Sequence, residues 1–430
     1  MELTMKEIAK KMKKEAAVLA CSTVEQRNNA LKQVMDSLLQ NKERIFQANR
    51  RDMEEAEENH VPDAVLKRLK FDENKLQDVL HGTEQLIALP DPLGKISLKR
   101  ELDRNLLLTR IACPIGVIGI IFEARPDAMV QISGLCLKSG NCAILKGGKE
   151  TKHTNKILFE TIHSAVVAAG LPEYCMFQAT AHQEIDELLQ CEKDVDLLIP
   201  RGSNEFVQYI MNHTKIPVMG HADGVCHIFV DRDCNREQVF PILLDAKKQY
   251  TAACNSVETI LVHRDIAKQF LPEMKRQFDA NGIAVCGTEE VNEIIPAELM
   301  EEDEFHREYL SLKVSVKIVA DVEEAVQHIN RFGSHHTDCI LTENEKTAAV
   351  FLQKVDSAGV YQNCSTRFAD GFRYGFGAEV GISTSKLHAR GPVGLEGLVT
   401  YKYTLRGDGQ TVGDYASGKK QFHYRNFPAD

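Results

Sequence analysis

The chain has 430 residues and a formal net charge of −10 at pH 7, so it is long enough for two or three domains and disfavours nucleic acid or an anionic membrane as a partner. Its composition, 43% hydrophobic and 27% charged, is ordinary for a soluble globular protein. The 12 cysteines form no Cys-x-x-Cys pair and no zinc-like cluster, so we predict free thiols in a reducing cytoplasm and no metal site.

The first 90 residues are highly charged and are predicted to be helical. Met5, Ile8 and Met12 fall at helical spacing, which indicates an amphipathic helix and not a signal peptide. The segment "ALPDPLG" marks a break, and the partly alternating stretch that follows it predicts a β-ribbon. No apolar run approaches the roughly 18–20 residues that span a bilayer.

From Gly116 onward, short apolar runs alternate with helical segments. The predicted strands are "GVIGIIFE", "CAILK", "YCMFQAT" and "DLLIP", and the predicted helices between them include "KHTNKILFETIHSAVVAAG". This rhythm indicates βαβ units around a buried parallel sheet. A second series begins after "GVCHIFVD", with strands such as "VETILVH" and "DCILT". The sequence therefore predicts two α/β units, and Cys254 lies where the second one begins.

Two strand-to-helix turns are candidate sites for a nucleotide phosphate. Lys146 ends the strand "CAILK", and two glycines and Lys149 precede the next helix. Ligands of open parallel sheets bind at the carboxyl ends of strands. Gly202 and Ser203 follow Arg201 in a turn of the same form, and a helix N-terminus favours anions. A solvent-exposed turn and a simple N-cap serine are the alternatives. The motifs GxxxxGK[ST], GxGxxG, GxSxG and HExxH do not occur.

Cys254 is a candidate nucleophile because it follows two alanines in a loop between a helix and a strand. Its thiolate would be the reactive form, and a dipole or a nearby cation would have to favour it. The alternative is a buried structural cysteine, since free cysteine is among the most buried residue types. The adjacent His335 and His336 are predicted to lie in a polar loop.

Several segments together resemble the gamma-glutamyl phosphate reductase family of proline biosynthesis, within the aldehyde dehydrogenase superfamily. The most specific are "FEARPD", "AACN" and "LHARGP", and the resemblance runs from about residue 5 to residue 405. It implies an α/β, aldehyde-dehydrogenase-like fold with two doubly wound α/β domains and a small β-flap for oligomerisation. The implied domains are a nucleotide-binding domain (1–94 and 113–235, returning at 366–398), a catalytic domain (236–365), and a flap with the C-terminal tail (95–112 and 399–430).

The resemblance also implies the reaction. The Cys254 thiolate would attack the acyl carbon of L-glutamate 5-phosphate, phosphate would leave, and the thioester would take a hydride from NADPH to give L-glutamate 5-semialdehyde. The superfamily's general-base glutamate aligns near His221, and its loss suits an enzyme that must not hydrolyse its thioester. The oxyanion asparagine aligns with Ala124, so the Cys254 N–H and the Asn255 side chain are the candidate donors instead.

The same resemblance assigns binding residues. Lys146 would contact the adenine ribose. Lys149 replaces an acid that binds the ribose 2′-hydroxyl, which favours NADP over NAD. Gly202 and Ser203 would lie near the cofactor diphosphate, and Glu308 would hold the nicotinamide ribose.

Two arginines are assigned to the substrate. Arg125 and Arg367 would bind its carboxylate and phosphate, because a guanidinium binds such groups through two parallel hydrogen bonds.

The resemblance further implies a homo-oligomer, with glutamate 5-kinase as a candidate partner and neither nucleic acid nor a membrane. Two alternatives stay open at this point. One is another acylating aldehyde dehydrogenase that uses CoA or a different acyl phosphate. The other is a catalytically silent protein of the same fold.

Overall fold

The computed structural model describes residues 3–180, 183–220 and 223–429. Its contacts divide the chain into two compact units. The first comprises Met1–Met219, Phe376–Gly381 and Val393–Asp430, and the second comprises Gly220–Gly375 and Ile382–Pro392.

Helices and strands are numbered here in chain order. The helices are α1 (Met5–Leu19), α2 (Val24–Gln40), α3 (Lys42–Glu58), α4 (Asp63–Leu69), α5 (Glu73–Ala88), α6 (Pro126–Lys138), α7 (Lys152–Ala168), α8 (Gln183–Leu189), α9 (Asn204–His213), α10 (Arg236–Lys248), α11 (Arg264–Ala280), α12 (Glu289–Asn292), α13 (Val322–Phe332), α14 (Glu345–Lys354) and α15 (Val412–Ala416). The strands are β1 (Ile96–Asp103), β2 (Leu106–Pro114), β3 (Val117–Phe122), β4 (Cys142–Lys146), β5 (Met176–Ala179), β6 (Leu197–Arg201), β7 (Cys226–Val230), β8 (Val257–His263), β9 (Ala284–Gly287), β10 (Glu298–Leu299), β11 (Lys313–Val319), β12 (Thr337–Leu341), β13 (Gly359–Gln362), β14 (Gly381–Ser383), β15 (Gly391–Val393), β16 (Val399–Arg406) and β17 (Arg425–Phe427).

Side-chain caps define the starts of several helices. Thr4 begins α1 in a capping box with Glu7, and Thr23 begins α2 in the same way with Gln26. Asp321 accepts hydrogen bonds from two backbone N–H groups in the first turn of α13. Such caps satisfy N–H groups that have no partner inside the helix, which is why these polar residues mark the helix boundaries.

The first unit contains a parallel sheet in the strand order β5-β4-β3-β6. Every residue of β3 and β4 is buried, which explains why these strands are continuous apolar runs. Helices α6 and α7 connect the strands and contact the N-terminal helices α2, α3 and α5. The carboxyl ends of β3, β4 and β6 therefore meet at one edge, where Glu123, Gly147 and Gly202 follow them.

A separate antiparallel sheet of the first unit has the order β16-β2-β1-β17. Strand β16 pairs with β2 along its whole length, and the hydroxyls of Thr109 and Thr404 lie 2.5 Å apart. This is the strand pairing that the resemblance implies for the flap. Its role in oligomerisation stays a prediction.

The second unit is built on seven strands in the order β10-β9-β11-β8-β7-β12-β13, all parallel. Strand β8 is buried at every residue and lies between β11 and β7. Val257, Ile260 and Val262 of β8 pack with side chains of α10 and α11 in one core cluster, and Leu261 packs in another. The segment that follows α10 and precedes β8 carries Cys254.

Two predicted domain boundaries differ from the units. The sequence prediction ends the nucleotide-binding domain at residue 235, but β7 pairs with β8 and β12 and so belongs to the second unit from Gly220 onward. The prediction also returns residues 366–398 to the first domain. Residues 366–375 stay in the second unit, because the Thr366 hydroxyl donates to the Asn255 carbonyl at 2.7 Å.

Among the described helices, none has both the length and the apolar content needed to cross a membrane.

His328, on α13, is an uncharged histidine in the core of the second unit. It is 4% exposed, and neither ring nitrogen has a hydrogen-bond partner among the described residues. Its ring packs edge-on against Phe305 at 4.7 Å. Burial, and next the charge of His227, lower the pKa of His328 to about 2. The folded protein therefore keeps this ring neutral at pH values where the unfolded chain protonates it.

We expect His328 to make the protein acid-sensitive. Stability from the neutral ring is present above the unfolded pKa of about 6.5 and is lost as pH falls from there, by up to about 1.4 kcal/mol per pH unit. In urea unfolding at pH 7.5 and pH 5, the His328→Leu variant should lose less stability than the wild type. His81→Gln, at an exposed position, is the control and should behave as wild type. Equal pH losses in wild type and His328→Leu would contradict this account.

Candidate active site

Cys254 lies in a tight turn between α10 and β8. The Ala253 N–H donates to the Tyr250 carbonyl at 3.3 Å, and the Ser256 N–H donates to the Ala253 carbonyl at 2.8 Å. Cys254 is half-buried, whereas Cys136 and several other cysteines are fully buried; all 12 cysteines are free thiols. The turn therefore holds the Cys254 sulfur at a fixed place that a small molecule can reach.

Gly224 packs directly against the backbone of this turn. A Cβ added at Gly224 would lie 2.3 Å from the Cys254 carbonyl oxygen and 2.5 Å from its Cα. Real Cβ atoms do not approach backbone atoms so closely, so only glycine fits at this position without displacing the cysteine. The Cys226 thiol, two residues further on, donates to the Cys254 carbonyl at 3.3 Å and adds a second constraint.

His336 is the residue that sequence reasoning missed. Its Nε2 lies 3.2 Å from the Cys254 Sγ, and its Nδ1 lies 2.9 Å from the Thr337 hydroxyl. His336 lies in the loop before β12, as predicted, but it is 1% exposed and therefore buried. His335 has a φ of 60°, and the Gly359 N–H donates to the His336 carbonyl at 3.0 Å, so the backbone is held on both sides of the ring. The spacing between residues 254 and 336 carries no sequence signal for this contact.

Arg367 is a buried cation near the same sulfur. It is 8% exposed, its Nε donates to the Gln249 side chain at 2.9 Å, and its guanidinium carbon lies 6.0 Å from the Tyr250 ring centroid. Burial, and next the Arg373 cation, lower the pKa of Arg367, whereas a charge on Cys254 acts in the opposite direction. The two groups therefore lie within electrostatic range of each other.

Arg125, the other predicted substrate arginine, belongs to the first unit. It is the exposed residue that precedes α6, and its side chain makes no cap hydrogen bond to that helix. Its role in substrate binding stays a prediction.

Asn255 is tied to the chain that carries Arg367. Its Nδ2 donates to the Ala369 carbonyl at 2.8 Å, and its own carbonyl accepts from the Thr366 hydroxyl. Asn255 is 3% exposed, so its amide is engaged inside the protein. This geometry gives Asn255 a positioning role between two loops, and its role as an oxyanion donor stays a prediction.

A buried ion pair lies behind the cysteine turn. The Lys247 Nζ is 2.8 Å from the Glu258 carboxylate, and both side chains are fully buried. Burial raises the pKa of Glu258 to about 7 and lowers that of Lys247. Glu258 also accepts from the Tyr309 N–H at 3.3 Å, and the charge of Glu308 contributes to the raised Glu258 pKa. The pair therefore anchors the segment of Glu308, the predicted nicotinamide-ribose ligand.

The predicted cofactor lysines lie at the carboxyl edge of the first unit's sheet. Lys146 ends β4, is 8% exposed and donates to the Gly147 carbonyl at 2.9 Å. Burial lowers its pKa. Lys149 is exposed and begins a single 3-10 turn before α7. A Cβ at Gly147 would lie 2.0 Å from the Asn155 amide, so the turn is closely packed here.

The second predicted phosphate turn contains an acid that the sequence prediction did not include. Glu123 follows β3, and a Cβ at Gly202 would lie 2.9 Å from its Cδ, so its carboxylate lies beside the turn of Gly202 and Ser203. Partial burial, and next the Glu150 carboxylate, raise the pKa of Glu123. Ser203 precedes α9 without a side-chain cap bond. A glycine-containing turn at a helix N-terminus fits a cofactor phosphate in principle, and the role of Gly202 and Ser203 stays a prediction.

Two further positions come from the superfamily resemblance. Ala124 has a φ of 46°, in the left-handed region, and its alignment with the oxyanion asparagine stays a prediction. His221 lies outside the described residues.

The chain is similar over its whole length to curated proteins. The family model described as "Aldehyde dehydrogenase family" matches residues 2–285. A gamma-glutamyl phosphate reductase from Pelotomaculum thermopropionicum is 52% identical, covering 100% of this chain and 99% of the relative. The solved structure of a gamma-glutamyl phosphate reductase from Thermotoga maritima is 36% identical, has a TM-score of 0.92 and covers 95% of this chain and 100% of its own.

More distant structures share the fold. A glyceraldehyde-3-phosphate dehydrogenase from Methanocaldococcus jannaschii, solved in complex with NADP, has a TM-score of 0.66 at 15% identity, and covers 95% of this chain and 96% of its own. Together with the close relatives, this similarity confirms the predicted aldehyde-dehydrogenase-like fold.

We expect Gly224→Ala to displace the cysteine turn. The added methyl group would collide with backbone atoms of Cys254, which cannot rotate away as a side chain would. Alkylation of Cys254 by iodoacetamide, followed by mass spectrometry, should slow relative to the wild type, and the melting temperature should fall by several degrees. Gly82→Ala is the matched control, because a Cβ there meets nothing within 4 Å and alanine favours the helix. If Cys254 in Gly224→Ala is alkylated at the wild-type rate, Gly224 does not hold the cysteine turn in place.

Proposed function

The chain belongs to the gamma-glutamyl phosphate reductase family, within the aldehyde dehydrogenase family, and we propose that it reduces L-glutamate 5-phosphate to L-glutamate 5-semialdehyde with release of phosphate. This oxidoreductase reaction is the second step of proline biosynthesis from glutamate. The observation that carries the proposal is the half-buried Cys254 thiol, held in a rigid turn near the Arg367 cation.

Cys254 is the nucleophile of the proposed reaction. Its thiolate attacks the acyl carbon, the carbon–oxygen bond to phosphate breaks, and the glutamyl group is held as a thioester. Covalent attachment fixes the carbonyl for the next step, and such fixation is worth about 7–11 kcal/mol in well-oriented systems. We propose that Arg367 binds an anionic group of the substrate, and its burial and its electrostatic range to the sulfur support this role.

A nicotinamide cofactor is the hydride carrier of the aldehyde dehydrogenase family. When bound, NADPH supplies the hydride that reduces the thioester to the aldehyde. We propose that Lys146 binds the adenine ribose, that Lys149 provides positive charge for a 2′-phosphate, and that the Ser203 N–H binds the diphosphate. The cationic carboxyl edge of the parallel sheet supports this placement.

The proposal includes a homo-oligomer formed through the antiparallel sheet. Strand β16 lies at the edge of that sheet and exposes Tyr401, Tyr403 and Leu405, each more than half exposed. An apolar edge strand is a favourable surface for pairing with another chain. Glutamate 5-kinase, which makes the acyl phosphate, is the proposed functional partner. The free thiols support a reducing, cytoplasmic location.

We expect the reverse reaction to require phosphate. Pyrroline-5-carboxylate, phosphate and NADP⁺ should give an increase in NADPH absorbance, and Cys254→Ala should abolish it while leaving NADPH affinity nearly unchanged. Cys234→Ala, at another partly buried cysteine, is the control and should keep its activity. A requirement for CoA in place of phosphate would indicate a different acylating dehydrogenase. Turnover by Cys254→Ala at a rate comparable to that of the wild type would rule out covalent catalysis through Cys254.

We expect Lys149→Glu to shift cofactor preference from NADPH toward NADH. A carboxylate at this exposed position would repel a 2′-phosphate and accept a hydrogen bond from a 2′-hydroxyl. The ratio of kcat/KM for the two cofactors should fall by at least tenfold. Lys156→Glu makes the same charge change at an exposed position of α7 and serves as the control. An unchanged ratio in Lys149→Glu would assign the 2′-phosphate to another residue.

A further inference from the structure

We propose that His336 is the base that takes the proton from the Cys254 thiol and returns it to the departing phosphate. The inference rests on the proposed function only in that Cys254 is the nucleophile. The observation that supports it is the 3.2 Å distance between the His336 Nε2 and the Cys254 Sγ, which is within hydrogen-bonding range for sulfur. His336 thus touches the reacting atom.

The second ring nitrogen indicates which tautomer is suited to this role. The Thr337 hydroxyl oxygen lies 2.9 Å from Nδ1 and can accept its proton. That leaves the lone pair of Nε2 directed at the thiol, as a base requires. The backbone bonds from Ala358 and Gly359 to the carbonyls of His335 and His336 hold in place the main chain that carries the ring.

Other cysteine thiols have a different environment. Cys191, Cys226 and Cys339 donate to backbone carbonyls, which stabilise the thiol form and do not accept its proton. Burial raises the pKa of Cys136 to about 12. Cys254 combines partial exposure with an imidazole at its sulfur.

Charged and titratable groups near the pair come from several elements. The Arg367 cation lies within electrostatic range of Cys254. Cys226 of β7 lies within electrostatic range of Cys254, of Glu258 on β8 and of Asp338 on β12. A pH profile of Cys254 reactivity therefore reflects these groups as well as His336. Comparison between variants that differ only at the histidine isolates its contribution.

These groups account for every proton and electron pair that moves in the proposed reaction. The proton moves from Sγ to Nε2, the sulfur–carbon bond forms, and the carbon–oxygen bond to phosphate breaks. The imidazolium gives its proton to the leaving phosphate, which would otherwise depart as a trianion. Hydride from NADPH then reduces the thioester carbon, the carbon–sulfur bond breaks, and the aldehyde leaves. The regenerated thiolate takes one proton from solvent, so one proton is consumed in each turnover.

The test measures alkylation of Cys254 by iodoacetamide between pH 5.5 and 9.5, with peptide mass spectrometry. Cys21, which is exposed, gives an internal reference in the same sample. His336→Asn should slow Cys254 alkylation at pH 7 by at least tenfold relative to Cys21 and move its inflection to higher pH. The kcat of the same variant should fall by about 10²–10⁴-fold, with the KM for NADPH unchanged.

His335→Asn is the matched control, because asparagine tolerates the φ of 60° and the neighbouring imidazole stays in place. It should alkylate as the wild type does. If His336→Asn does not fold, Thr337→Val removes only the hydroxyl that orients the ring. That variant should slow alkylation by about two- to tenfold, the value of one hydrogen bond.

The outcomes separate this inference from the proposed function. Alkylation needs no substrate, so slower alkylation of His336→Asn supports the histidine even if the reverse assay finds no glutamyl chemistry. If His336→Asn and Thr337→Val are both alkylated at Cys254 at the wild-type rate across the pH range, the inference is overturned, even if phosphate-dependent turnover is present.

Discussion

The position of one sulfur atom depends on how closely the second unit packs around the turn before β8. Gly224 contacts the Cys254 backbone where a single methyl group would not fit. Asn255 connects the same turn to the loop of Arg367 through hydrogen bonds to Ala369 and from Thr366. The turn therefore cannot move without displacing two other segments, and this rigidity keeps a reactive thiol at a defined distance from its neighbours.

Buried charge adds a second level of organisation behind the turn. The Lys247 and Glu258 pair is fully enclosed, so each side chain depends on the other to offset the cost of burial. Glu258 follows Cys254 by four residues and also holds the Tyr309 N–H. A substitution of either residue of this pair would thus disturb both the cysteine turn and the segment that carries Glu308. The ion pair orders the surroundings of the site without being exposed to substrate.

The carboxyl edge of the first unit's sheet combines acidic and basic side chains. The carboxylate of Glu123 lies beside the turn of Gly202 and Ser203, and the charge of Glu150 contributes to its raised pKa. Lys146 and Lys149 supply positive charge from the neighbouring turn. For the proposed NADPH, affinity would therefore reflect repulsion by these carboxylates as well as attraction to lysine.

The sequence by itself determined the α/β architecture, the strands "CAILK" and "VETILVH" to the residue, and the loop position of Cys254, because buried parallel strands are short apolar runs and turns carry small residues. Its local patterns had no means of showing that His336, 82 residues further along, meets the sulfur. The domain boundary at residue 235 that the resemblance implies differs from the compact units, which include β7 in the second unit, because strand pairing is not encoded in local periodicity. Only the tertiary structure decided those contacts, since residues distant in the chain become neighbours through sheet order and loop packing.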